Sequence, residues 1–148
     1  MVAGLKKMGW VMNEVGRLYS PVPNLQRQAR EDIRVDDVVI PAGTNVWIDV
    51  VSMHHDGALW GDDVNEFRPE RFKDDQLYGG CNHKMGFLPF GFGGRLCIGK
   101  NLATLEYKIV LTLILTRFSF SLSKLLPFSL HHAIPQAFSR AASNISTS

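Results

Sequence analysis

Cysteine is scarce in this sequence, and neither sign of charge dominates. Only two of the 148 residues are cysteines, Cys81 and Cys97. They form no CxxC pair, which argues against a zinc knuckle, and two thiols are too few for a disulfide scaffold. The formal net charge is +2. No run of five or more Lys or Arg occurs, so nothing marks the chain for nucleic acid. No stretch of about 18 apolar residues is present, and the most apolar run, Ile109 to Leu115, is too short to cross a bilayer. The opening residues lack the pattern of a signal peptide. These absences lead us to expect a soluble chain without a membrane anchor. Otherwise the composition is that of a globular domain, with 45% hydrophobic and 20% charged residues, and the length suffices for one domain with a real core.

The stretch around which the chain is organised is Phe87-Leu-Pro-Phe-Gly-Phe-Gly-Gly-Arg-Leu-Cys-Ile-Gly-Lys100. Its glycines (Gly91, Gly93, Gly94, Gly99) permit backbone conformations closed to other residues and let a flat ligand approach the main chain. A helical pattern begins just beyond Cys97. The start of a helix offers unpaired N–H groups and the positive end of its dipole, a setting that favours a thiolate. A lone cysteine is most often a small core hydrophobe, but here Arg95 and the glycines surround it. A thiolate on a glycine-lined shelf with an arginine close by suits an iron porphyrin with anionic propionates. The same residues also read as the front of a P-loop, Gly94-x-x-x-x-Gly99-Lys100. Asn101 then stands where the magnesium-binding Ser or Thr belongs, and Pro89 interrupts the strand that should precede it.

The pattern Phe90-x-x-Gly93-x-Arg95-x-Cys97-x-Gly99 resembles the haem-ligand signature of the cytochrome P-450 monooxygenases, with no position departing from it. Two further motifs follow the family's order. Leu5, Met8, Val11, Met12 and Val15 recur at helical spacing, which predicts a helix over about residues 2–19 ended by Pro21 and Pro23. Glu14 and Arg17 share one face of it. Taken alone they would be a surface ion pair worth under about 1 kcal/mol. Followed by Leu-Tyr-x-Pro, they resemble the family's helix K, where the pair is buried and locked to a later arginine. Phe67-Arg-Pro-Glu-Arg-Phe72 resembles the family's meander, which makes Arg71 the implied third member of the lock.

Between these motifs, Val35, Val38, Val39, Ile40, Val46, Ile48 and Val50 are β-branched, and Asp36-Asp37 and Pro41-Ala-Gly43 read as turns. This predicts short antiparallel strands whose register the sequence leaves open. Arg27 lies where family members carry a basic residue for a haem propionate, and the residues alone equally allow an exposed strand arginine. Val22 to Leu25 falls where the family lines its substrate pocket. Met53 to Gly80 shows little periodicity and is expected to be irregular, tied down by the meander. His54 and His55 are adjacent and cannot easily share one metal site. Cys81 with His83 has no second half nearby, and Cys81 reads as a free loop thiol. After Cys97, the stripe Leu102, Leu105, Ile109, Leu113, widened by Val110, Leu111, Ile114 and Leu115, predicts a helix buried nearly all round. It is similar to the family's helix L. Phe118, Phe120 and Leu122 then alternate as a strand. Beyond Ser123 the resemblance fades, and Asn144-Ile-Ser146 is only a common glycosylation pattern.

The resemblance implies an α+β fold, the C-terminal, haem-proximal portion of the cytochrome P-450 fold: helix K, a small antiparallel β region, meander, Cys-loop and helix L. Residues 1–124 would be a partial P-450 domain and residues 125–148 a divergent, disordered tail. It implies haem b (iron protoporphyrin IX) with Cys97 on the iron and Phe90, Gly93, Arg95, Gly99 and Arg27 around the cofactor. Glu14, Arg17 and Arg71 would be structural. The wording of Ile-Pro-Ala-Gly-Thr, Trp-Gly-Asp-Asp and Phe-Arg-Pro-Glu-Arg-Phe is similar to plant microsomal members. Those insert one oxygen atom from O2 into small lipophilic substrates, with NADPH electrons delivered by a reductase, at the endoplasmic reticulum membrane. No counterpart of the family's oxygen-activating acid–threonine helix or of its N-terminal anchor is found here. The alternatives are a catalytically inert fragment and a P-loop-like nucleotide-binding module.

Overall fold

The computed structural model describes residues 2–75 and 77–120. The chain divides between Ile114 and Leu115 into two units. The first carries every element below except the last residues of the final helix.

Helix α1 spans Val2–Leu18, and its last backbone bond runs from Tyr19 N–H to the Val15 carbonyl at 2.8 Å. Pro21 and Pro23 follow, and neither can donate the next bond. Strand β1 (Asn24–Gln28) pairs antiparallel with β4 (Asn45–Asp49), placing Leu25 opposite Ile48 and Arg27 opposite Val46. Ala29 and Thr44 extend the pair by one more bond. Between them β2 (Ile33–Val35) and β3 (Val38–Ile40) form a hairpin that turns at Asp36-Asp37. Asp36 has φ +50°, a conformation that Asp tolerates better than most residues. This register, which alternation could not fix, follows from the two-residue turn.

Two expectations are corrected here. Val50, expected in a strand, is fully buried and begins helix α2 (Val50–His54). Asp49 caps that helix, accepting from the Ser52 N–H at 3.0 Å. The span from Met53 to Gly80, expected to be irregular, contains α3 (Gly57–Trp60), capped by Asp56, and a 3-10 turn at Pro69–Phe72. Elements of four or five residues are too short to display a 3.6-residue period, so only their caps mark them in the sequence.

The core is a cluster of Trp60, Val64, Phe72 and Phe87, with Trp10 from α1, Leu59 and Cys81 packed against it. The Phe72 and Phe87 ring centroids lie 4.8 Å apart, and Trp60 meets Phe87 edge to face at 5.9 Å. Cys81 is a free thiol in a loop, as expected, and it is half-buried against this cluster.

Helix α4 spans Lys100–Arg117. The expectation that it is buried fails in this chain, since none of its residues is buried and Leu102, Leu105, Ile109, Val110 and Leu113 are all about half exposed or more. Its face toward α1 is marked by the Thr112 hydroxyl, 3.6 Å from the Met8 sulfur. A helix apolar on every side needs neighbours on every side, and the described residues supply them on one. Among the described residues Phe118 and Phe120 lie in no strand, and Leu122, with the rest of residues 121–148, lies outside the described residues. Among the described residues no helix is long and apolar enough to cross a membrane.

Candidate functional site

The loop before α4 is shaped by a short series of backbone bonds. Gly91 N–H donates to the Leu88 carbonyl at 3.1 Å and Cys97 N–H to the Phe90 carbonyl at 2.9 Å. Between them Gly93–Arg95 forms a 3-10 turn, with Gly93 at φ +67°, which excludes side-chain-bearing residues without strain. Cys97 emerges three residues before the helix, and its carbonyl accepts the Lys100 N–H at 3.3 Å. The thiol is free and exposed. Around it the apolar side chains of Phe92, Leu96 and Ile98 are also exposed, Ile98 completely, while Phe90 is half-buried and Gly99 backs the thiol. Hydrophobic side chains left open beside a soft sulfur ligand form a surface suited to a flat apolar ligand.

Arg95, two residues before Cys97, and Arg27, from β1, line one open concavity of about 520 Å³ together with Arg30, Gln26 and Gln28. Arg27 donates to the Gln26 carbonyl at 2.7 Å. No ion pair among the described residues engages Arg27, Arg30 or Arg95. Three guanidinium groups without a carboxylate on one wall make an anion cradle. The residues placed here thus fit an iron porphyrin: a thiol for the metal, apolar side chains for the ring and arginines for carboxylates.

On the side of α1, Glu14 and Arg17 are both completely buried. Their contact is bidentate, Nε to Oε2 at 2.8 Å and Nη2 to Oε1 at 2.9 Å. Arg71 joins them, with its Nε 3.4 Å from Glu14 Oε1. The nearer carboxylate for Arg71 is Asp63, at 2.7 Å, a residue that sequence reasoning missed. Hydrogen bonding to Arg71, with the charges of Arg71 and Arg68 beside it, holds the Asp63 carboxyl below its ordinary pKa. The cluster therefore balances two carboxylates against two buried guanidinium groups, with Arg68 at the rim. Arg17 also donates to the carbonyls of His54 and Val64 at 2.9 and 2.7 Å and lies 5.1 Å from the Trp60 ring centre. Glu14 reaches across to accept the Arg68 N–H at 2.9 Å. Together these contacts tie α1 to the strand-poor segment 54–71.

For His54, weighed in the sequence only as one of two adjacent histidines, the burial and the partner were missed. It is fully buried, and its Nε2 accepts the Leu88 N–H at 3.0 Å. Desolvation, reinforced by the charges of Arg17 and His55, pushes its pKa down to about 4. Its neighbour His55 bonds instead to the Val51 carbonyl, so the two rings serve different partners. His83 Nδ1 accepts the Met85 N–H at 3.1 Å. In the sequence, only the apolar company of His54 could have suggested burial.

The family model of cytochrome P450 matches residues 1–139. This chain belongs to the cytochrome P450 family. Among curated relatives of the P450 chain, Cytochrome P450 734A5 from Oryza sativa subsp. japonica is 48% identical over 119 residues, covering 80% of this chain and 22% of the relative. Cytochrome P450 714A2 from Arabidopsis thaliana is 38% identical over 133 residues, covering 90% of this chain and 25% of the relative. The cytokinin hydroxylase of the same plant is 42% identical over 123 residues, 83% of this chain and 23% of its own length. The P450 chain thus spans about a quarter of the length of these relatives. The mixture of helices and small antiparallel sheets agrees with part of a P450 fold. The nucleotide-binding alternative is not favoured, because among the described residues the last strand ends at Asp49, far from the Gly94–Lys100 loop.

Proposed function

We propose that this chain is the haem-binding, C-terminal portion of a plant-type monooxygenase, in which Cys97 would hold the iron of the protoporphyrin. The observation that carries this reading is the exposed thiol of Cys97 among exposed Phe92, Leu96 and Ile98, with Arg95 and Arg27 lining one concavity. In this reading α1 is helix K, β1–β4 the small β region, 67–72 the meander and α4 helix L. When bound, the haem supplies oxygen activation, and the electron density of the thiolate favours O–O cleavage. The chain's own residues bind and orient the cofactor. Cys97 would hold the iron, and Arg27 and Arg95 would pair with the propionates. Phe90, Phe92, Leu96 and Ile98 offer apolar surface to the ring, and Gly93 and Gly99 keep the loop close to it. The Glu14–Arg17–Arg71 cluster is structural, holding α1 against the meander. The substrate class is a small lipophilic molecule. Electrons come from NADPH through a reductase, and the whole protein works at the endoplasmic reticulum membrane.

The test is reconstitution of the chain with haem, reduction and addition of carbon monoxide. A strongly red-shifted Soret band is expected, lost in Cys97→Ser and kept in Cys81→Ser. If Cys97→Ser keeps the band and Cys81→Ser loses it, the ligand assignment is wrong.

A further inference from the structure

The Cys97 loop is exposed along most of its length, yet its first residues are not. Phe87 and Leu88 are buried, at 7% and 5% exposure, and they meet a side chain that belongs to neither the loop nor its helix. That side chain is His54, from the end of α2. Its Nε2 accepts the Leu88 N–H at 3.0 Å, its ring lies 5.4 Å from Phe87, and Trp60 closes the other side edge-on at 6.4 Å. From this point a relay of main-chain bonds leads to the thiol. The Leu88 carbonyl accepts from Gly91, and the Phe90 carbonyl accepts from Cys97 itself. The base of α2 is fixed in turn, because the His54 carbonyl accepts from the buried Arg17.

We propose that His54 is a positioning residue for the cysteine ligand, its neutral imidazole serving as the acceptor that fixes Leu88 and, through Leu88 and Phe90, the placement of Cys97. The inference rests on the haem-thiolate reading only for its consequence at the metal; the hydrogen-bond role stands on the geometry alone. An imidazole that accepts at Nε2 carries its proton on Nδ1. In His54 that Nδ1 is buried and has no partner among the described residues. Purely structural packing would favour an apolar ring at such a site, since an unpaired buried donor is costly. The bond that the ring does make, from the Leu88 N–H to Nε2, is the one that reaches the Cys97 loop. Burial holds the imidazole neutral at pH 7, so the acceptor is always available there. A protonated ring would turn a second N–H toward the Leu88 amide and break the contact.

The experiment uses the full 148-residue chain and three variants. His54→Leu removes the acceptor and keeps most of the volume. His54→Asn keeps a polar group too short to reach the position of Nε2, whereas His54→Gln can place its Oε1 there. Hydrogen exchange is read at the Leu88, Gly91 and Cys97 amides. Protection of Leu88 is expected to fall about tenfold in His54→Leu and His54→Asn, as for loss of one buried hydrogen bond, and to return in His54→Gln. Gly91 and Cys97 should follow in the same order. After haem reconstitution, the red-shifted carbon monoxide band should be strong in the wild type and His54→Gln and weakened in the other two. Unchanged Leu88 protection in His54→Asn, or equal loss in His54→Gln, would overturn the proposal, and this comparison holds even if His54→Leu fails to fold. A wild-type chain without the band would instead overturn the haem-thiolate reading, and the exchange data alone would then decide the role of His54.

Discussion

Replacing Glu14 by alanine should be among the most damaging single changes to this chain. The Glu14 carboxylate accepts two bonds from Arg17 and one from the Arg68 N–H, with Arg71 beside it, and both Glu14 and Arg17 are fully buried. Removing it leaves the Arg17 guanidinium in the interior with only carbonyl acceptors. Breaking a buried pair in this way costs about 3–5 kcal/mol, because the remaining charge is uncompensated. Arg71→Ala is expected to cost less. Glu14 keeps Arg17, and Asp63, whose side chain is 24% exposed, keeps Arg68 and water. What is lost is the 2.7 Å ion pair with Asp63, the longer contact with Glu14 and the donors to the Trp60 and Asp63 carbonyls, for about 1–3 kcal/mol, since neither carboxylate is left without a cation. Glu14→Leu combined with Arg17→Met should cost less than the two single changes added together, since no charge is left alone. Urea unfolding of the wild type, Glu14→Ala, Arg71→Ala, the double variant and its two single changes, followed by tryptophan fluorescence, measures the order. If Arg71→Ala proves as costly as Glu14→Ala, or if Glu14→Ala costs under about 1 kcal/mol, the pair is not the centre of the cluster and the reasoning fails.

Stability should also depend on pH through His54, whose pKa falls from 6.5 to about 4 on folding. Above pH 6.5 both states are neutral and the contribution is complete; as pH drops toward 4 only the unfolded chain takes up the proton, removing about 3 kcal/mol. Unfolding curves between pH 4 and 7 should show this slope, and His54→Gln should flatten it. Gly79→Ala should destabilise by about 2 kcal/mol or more, because Gly79 has φ +64° and an added Cβ would run into the Phe72 ring; a thermal melt matching the wild type would contradict this. By itself the 148-residue chain should give no coupled product with NADPH and a microsomal reductase, because it spans about a quarter of its relatives and leaves α4 exposed. Product formation at the rate of an upstream-extended chain would refute that.

The sequence by itself determined the family motifs and the local elements. Local rules set helix α1, its end at the prolines and the hairpin turn, because capping, proline geometry and turn preference act within a few residues. The spacing around Cys97 likewise pointed to a ligand loop before a helix. Tertiary structure decided the rest. Asp63 as the nearer partner of Arg71 and His54 as the anchor of Leu88 join residues 8 and 34 positions apart, which no local period encodes. The short helices α2 and α3 are held by caps and packing, and Val50 follows burial over its β propensity. Helix α4 gives the same lesson in reverse. Its apolar pattern specifies a buried element, but burial is a property of neighbours, and the described residues cover only part of its surface.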